Sequence, residues 1–278
     1  MKKTLIALAT LGVVGAASAQ ASITGSIGFG IQNVMGTPGA KFDLTDADIN
    51  FSGKEDLGGG LSVSVSTSIS NEAMRGNATT ANNTAISLTG GFGSIAYSNV
   101  LSGKAKMGGP SVEDDLSDVL GGYSTVNVFN YTTPELFAGF KASAEWAADD
   151  ASRMAASGTP TLIGNYKSGP VSIYVDNGGT SKVWDLRVKY DAGVAQLGLR
   201  VDKDKFQEVA ITVPSGAITY GLNMVSKETI KGTGFSMTYA MSKQTSVNFG
   251  YVSSSVSAST LNSGNGGNNY RLQLVKKF

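Results

Sequence analysis

The chain has 278 residues with no cysteine and no histidine, which excludes a disulfide framework, a thiolate metal centre and any mechanism built on an imidazole base. Its 22 Lys and Arg against 21 Asp and Glu leave no net field to hold nucleic acid or an anionic membrane surface. Charged residues make up only 15% while glycine reaches 36, a balance that favours turns and small exposed positions over helices.

The first 19 residues read as a secretory signal peptide. Lys2 and Lys3 supply a positive start, Leu5 to Val14 a short apolar stretch, and Ala17-Ser18-Ala19 the small-x-small pattern cut by signal peptidase. Residues 20–278 would then be the mature domain. Beyond the leader no run approaches the ~18 apolar residues of a membrane helix.

The mature chain instead shows period-two alternation, the mark of strands with one apolar face. Leu61, Val63, Val65, Thr67 and Ile69 interleave with Ser62, Ser64, Ser66 and Ser68. Leu186, Val188 and Tyr190 oppose Asp185, Arg187 and Lys189, and Leu197, Leu199 and Val201 oppose Gln196, Gly198, Arg200 and Asp202. Glu208 to Val213, Ile218 to Met224, Phe235 to Met241 and Tyr270 to Phe278 repeat the pattern. The chain is all-β.

The connections alternate in character. Tight ones span Glu55 to Gly60, Gly90 to Gly93, Pro134 to Gly139, Ser168 to Pro170, Asp191 to Val194, Pro214 to Gly216 and Ser242 to Gln244. Between them lie mostly longer, polar stretches: Gly36 to Lys41, Glu72 to Asn82, Val100 to Gly122, Ala148 to Thr159, Asn177 to Lys182, Lys203 to Gln207, Lys227 to Gly232 and Ser255 to Asn268. Fifteen connections imply sixteen strands, with about 16 residues for each strand and its connection, enough for tilted membrane strands of about 9–11. Short periplasmic turns alternating with longer extracellular loops define a closed antiparallel transmembrane β-barrel. Phe51, Tyr131, Phe140, Tyr166, Tyr190 and Tyr239 flank the turns, and Tyr97, Trp146, Tyr251 and Tyr270 flank the loops, as two interfacial girdles would. The competing fold is a secreted soluble β-sandwich, structural or adhesive, which shares the alternation but does not require short and long connections in turn. A membrane-embedded enzyme is disfavoured: no histidine is present and no serine sits in a nucleophile-elbow pattern.

Specific segments resemble one family. Phe51-Ser52-Gly53-Lys54-Glu55-Asp56-Leu57-Gly58-Gly59-Gly60-Leu61 is similar to the first periplasmic turn of the general diffusion porins of Gram-negative bacteria, and Gly90-Gly91-Phe92-Gly93 to their second. Asn130-Tyr131-Thr132-Thr133-Pro134, with Phe137 to Phe140, resembles the strand and turn after their constriction loop. The terminal Phe278 resembles the signal read by the outer-membrane barrel assembly machinery. The resemblance runs the full length. It implies a sixteen-stranded porin in the outer membrane of a Gram-negative bacterium, surrounded by lipid and usually trimeric, passing ions and small hydrophilic solutes by passive diffusion. It also implies a third loop folded into the pore.

That loop would be Val100 to Gly122, carrying Glu113, Asp114, Asp115 and Asp118. Carboxylates at a constriction bias passage toward cations; the same run could equally be a solvated surface loop. No loop has the ligand spacing of a calcium motif, so no metal or cofactor is expected. Where the family lines the opposite wall with arginines, this sequence aligns Asp48, Asn99 and Asn130, with Asp46 close by. Cations on the polar phase occur elsewhere, as Lys141, Arg187, Lys189, Arg200 and Arg271. Each either lines the pore or pairs with Asp46, Glu145 or Asp185. The expectation is a channel, not an enzyme, with weak cation preference.

Overall fold

The computed structural model describes residues 20–33, 39–70, 80–102, 124–148, 159–228, 230–255 and 268–278. They form sixteen strands: β1 Gln20–Asn33, β2 Lys41–Gly58, β3 Leu61–Ser70, β4 Thr80–Gly90, β5 Gly93–Ser102, β6 Ser124–Thr132, β7 Phe140–Ala148, β8 Thr161–Ser168, β9 Val171–Asp176, β10 Asp185–Asp191, β11 Gln196–Asp202, β12 Phe206–Ser215, β13 Ile218–Lys227, β14 Ile230–Ala240, β15 Thr245–Ser254 and β16 Asn268–Lys277. Each pairs antiparallel with its chain neighbours, and β1 pairs with β16 to close the ring. Leu197, Leu199, Leu272 and Leu274 stand between 44 and 51% exposed on the outside, while Arg187 and Arg200, on the alternate phase, are enclosed within. The two phases therefore sit on opposite sides of one wall, not in a shared dry core. This is the barrel that the alternation implies, and the sandwich is excluded.

Most tight turns fall where Gly and Pro place them. The β2–β3 hairpin turns through Gly58, Gly59 and Gly60, all at positive φ. Two outer connections are tighter than the sequence pattern suggests. Lys203 to Gln207 shrinks to three residues because the Asp202 carboxylate accepts the N–H groups of Asp204 and Phe206, at 2.8 and 3.1 Å, with Lys205 left-handed at φ 62. Lys227 to Gly232 is largely strand: β13 and β14 are separated by two residues, with Glu228 at φ 54. Neither segment is a long loop, and the barrel wall extends there instead.

The aromatics cluster near the two rims of the outer face. Tyr131 donates its hydroxyl to the Phe92 carbonyl at 2.8 Å beside the second short turn. Phe137 stacks on Phe140 beside the third, centroids 4.7 Å apart. Towards the loops, Phe129 meets Trp146 and Tyr251 pairs across strands with Tyr270.

The seam between β1 and β16 is the most demanding place in the wall. Phe278 and Gly25 exchange backbone hydrogen bonds, both at 3.1 Å, and the Phe278 ring occupies the space a side chain at Gly25 would need. At Gly30 a β-carbon would overlap the Leu272 carbonyl oxygen. β1 approaches its partner this closely only because these positions lack side chains. Gly30→Val should therefore lower stability by about 1–3 kcal/mol, seen as an earlier urea midpoint for the refolded barrel in lipid. Gly91→Val, at a turn with open space around it, should leave that midpoint unchanged.

Candidate functional site: the charged wall of the lumen

Directly opposed residues of an antiparallel pair share a face, so the registers sort lumen-facing residues into rows. One row runs Lys141, Asn165, Tyr174, Arg187, Arg200 and Glu208 across β7 to β12. The row toward the loops holds Ser143, Ile163, Asp176, Asp185 and Asp202, and the row toward the short turns holds Lys167, Ser172, Lys189 and Gly198. Carboxylates, arginines and lysines thus succeed one another down this side of the lumen.

The arginines are locked in place. Arg187 donates Nε and Nη2 to Asp185 at 3.1 and 3.0 Å, and Arg200 donates Nε and Nη2 to the same carboxylate at 2.9 and 2.8 Å. Asp185 is 1% exposed, Arg187 3% and Arg200 11%. Arg187 lies over the Tyr174 ring and Arg200 over Phe206, each 4.6 Å from the centroid. The charge-assisted bonds and ring faces offset the desolvation that burying three charges costs. The resulting brace ties β9, β10, β11 and β12 together through their side chains.

The acidic wall lies on the far side. β2 and β10 are eight strands apart in a ring of sixteen, so they face each other across the lumen. There Asp46 accepts from the Ser26 hydroxyl at 2.8 Å and Asp48 from Ser70 at 2.6 Å. Arg271 donates Nε to the Gln32 amide oxygen at 2.8 Å. Between the two walls, β3 presents only serines inward, Ser62 to Ser70 at every second position. Among the described residues, the inward phases of β4 to β6 carry no charge either. No three carboxylates among the described residues come together to hold a metal.

The register therefore puts Asp46, Asp48, Lys141, Arg187, Lys189, Arg200 and Arg271 on the inward face, and Phe278 at the seam. Glu113, Asp114, Asp115 and Asp118 lie outside the described residues. Of the three positions aligned with family arginines, Asn130 is inward beside Ala96, but Asn99 is not. It shares the outward phase of Tyr97, opposite Thr84, where it donates to Asn127 at 2.9 Å. Sequence reasoning does not single out Lys167, Tyr174, Asp176 or Phe206. The first three are recoverable from the polar phase of β8 and β9, where they alternate with Tyr166, Ile173 and Val175.

A family model described as Gram-negative porin matches residues 4–274. The chain belongs to the Gram-negative porin family. No curated protein sequence matches it significantly, yet solved porins share its fold over nearly the whole length. The anion-selective porin from Comamonas acidovorans superimposes with a TM-score of 0.65 at 16% identity, covering 94% of this chain and 100% of that one. A triple mutant of the Rhodopseudomonas blastica porin gives 0.70 at 12% identity, covering 93% and 100%. The porin is an outer-membrane protein and forms a channel for passive diffusion of ions and small hydrophilic solutes.

Removing the charge at the centre of the brace should be costly to this porin. Asp185→Asn removes the carboxylate that both buried guanidinium groups share, and should lower stability by about 3–5 kcal/mol in urea unfolding. Arg200→Met should cost less, because Arg187 still holds the carboxylate.

Proposed function

We propose that this porin is a weakly cation-preferring diffusion channel, made with a leader over residues 1–19 and working as a homotrimer. The observation that carries the sign of selectivity is the unequal pairing of the two walls. Arg187 and Arg200 share the Asp185 carboxylate, which cancels one of their two charges, whereas hydroxyls are the hydrogen-bond donors to Asp46 and Asp48. Beyond about 8–10 Å, fixed charges are screened at physiological salt, so the carboxylates not answered by a salt bridge act on ions passing near them. The sequence adds Glu113, Asp114, Asp115 and Asp118 in the segment that the family resemblance assigns to the constriction. Lys141, Lys167 and Lys189 oppose these carboxylates and keep the preference weak.

The trimer is supported by polar side chains on the outer face. Thr67 bonds Thr84 at 2.9 Å, and Asn99 bonds Asn127. All four point away from the lumen beside an apolar groove of about 580 Å³ lined by Ile23, Phe51, Val65, Ile86 and Tyr97. Amides turned toward lipid tails are costly, and a second copy of the chain would cover them. Phe278, placed at the seam, is the proposed recognition point for assembly.

The test is a planar lipid bilayer with a KCl gradient. The zero-current potential should indicate a modest preference for potassium, and Asp46→Asn with Asp48→Asn should move it toward chloride. An intact channel that already prefers chloride would reverse the sign assigned here. Deleting Phe278 should reduce the folded protein recovered in outer membranes without altering conductance per inserted pore. On native gels the wild-type protein should run as a trimer, and replacing Gly53, beside the groove, with Trp should shift it to monomer.

A further inference from the structure

We infer that the lysines of β7 to β10 form a binding subsite for multivalent anionic solutes, carrying two or more carboxylates or phosphates, on the short-turn half of the lumen. The inference rests on the channel reading and adds a ligand class to one part of the wall. A cavity of about 610 Å³ opens there, lined by Lys141, Asn165, Lys167, Ser172, Arg187 and Lys189. Lys167 and Lys189 flank Ser172 in a single row, which puts their backbones about 10 Å apart across two strand spacings. Lys141 stands one row nearer the loops.

The cations of the lining outnumber its one carboxylate, and the neutral hydrogen bonds of the nearby acids orient them without cancelling their charge. Glu135, the one acid lining the cavity, accepts the Gly139 N–H at 2.9 Å. Asp191 accepts the Gly193 N–H at 2.9 Å and the Gln196 amide at 3.1 Å. Asp185 is occupied by Arg187 and Arg200. Among the described residues, the side chains of Lys141 and Lys167 have neither a hydrogen bond nor an ion pair. The side-chain amide of Asn165 and the hydroxyl of Ser172 stand between the lysines as neutral groups able to orient a bound oxyanion.

Magnitude decides which anions are retained. One ion pair at about 4 Å in water is worth about 1 kcal/mol, so chloride meeting one lysine is held too weakly to interrupt its passage. An anion that engages Lys141 and Lys167 at once gains about 2 kcal/mol, roughly thirtyfold in residence, and the charge of Lys189 adds to the attraction. The subsite therefore separates multivalent from monovalent anions without making the channel strongly anion-selective for simple salts.

The experiment uses the full-length porin in planar bilayers in KCl, with citrate or inorganic pyrophosphate added on the short-turn side. Either probe should reduce the current saturably, and the one acting at lower concentration assigns carboxylate or phosphate as the preferred group. Combining Lys141→Gln, Lys167→Gln and Lys189→Gln should raise the half-blocking concentration by about tenfold or more. Lys167→Gln alone, at an exposed position that the fold tolerates, should raise it about fivefold. Lys54→Gln, on the inward phase of β2, should leave it unchanged. The subsite is overturned if a channel conducting KCl is blocked by neither probe, if block persists in the lysine variants, or if Lys54→Gln relieves it equally. Absence of any KCl current would overturn the channel reading, and the subsite with it.

Discussion

Ring closure is the constraint on which the rest of this porin depends. In lipid no water is available to satisfy an open strand edge, so every backbone N–H and C=O of the spanning wall must find a partner inside the protein. The β1–β16 pairing meets that requirement, and it does so where glycines let the backbones approach. Once the ring is closed, alternation alone assigns each residue to lipid or lumen. The chemistry of the channel is then a matter of which residues share the inward phase and which rows they occupy.

Much of this was legible in the residues themselves. Leu61 to Ile69 declares a strand with a hydroxyl face, and β3 presents those serines to the lumen. Asp185 to Tyr190 declares its two faces equally plainly. The pairing of Arg187 and Arg200 through Asp185 was not legible, because alternation places residues on a face without stating which neighbour they will meet. Strand register supplies that information, and register is set by turn geometry and by irregularities that a regular pattern does not reveal. The bulge in β2 opposite Gly28 and Phe29 is one example. Below it Asp46 and Asp48 face inward, while above it the parity changes so that Lys41 faces inward and Phe42 outward. Strict alternation carried through from Asp46 would have turned Phe42 into the water. The same reasoning explains the placement of Asn99: similarity of the turn motifs locates the strand, but its parity with Tyr97 sends the amide outward.

The lumen is economical in where it keeps charge. Among the described residues, four consecutive strands, β3 to β6, offer mainly hydroxyls and small side chains. Most of the charged residues gather on β2 and on β7 to β12, at facing sides of the ring, with Arg271 on β16 beside the acidic wall. The brace around Asp185 also divides the basic wall by role. Its arginines are fixed, planar and matched to a carboxylate, as guanidinium groups suit. The lysines beside them are compact, hydrated cations on flexible stems, which suits brief contact with passing solutes. One wall thus contains both a structural tie and, in the same row and the one beside it, the lysines Lys141, Lys167 and Lys189.

Closure also has a bearing on time. The side-chain bond from Arg271 to Gln32 joins residues 239 positions apart, and the backbone pair at Gly25 waits for Phe278. Contacts of such long sequence separation are slow to form, because the entropy of closing the loop is lost before the contact contributes anything. Until β16 reaches β1, both edge strands are unpaired and open to adventitious pairing with other chains. The nascent porin therefore passes through a period in which its sequence is complete enough to aggregate but not to seal, and its yield depends on how briefly that period lasts.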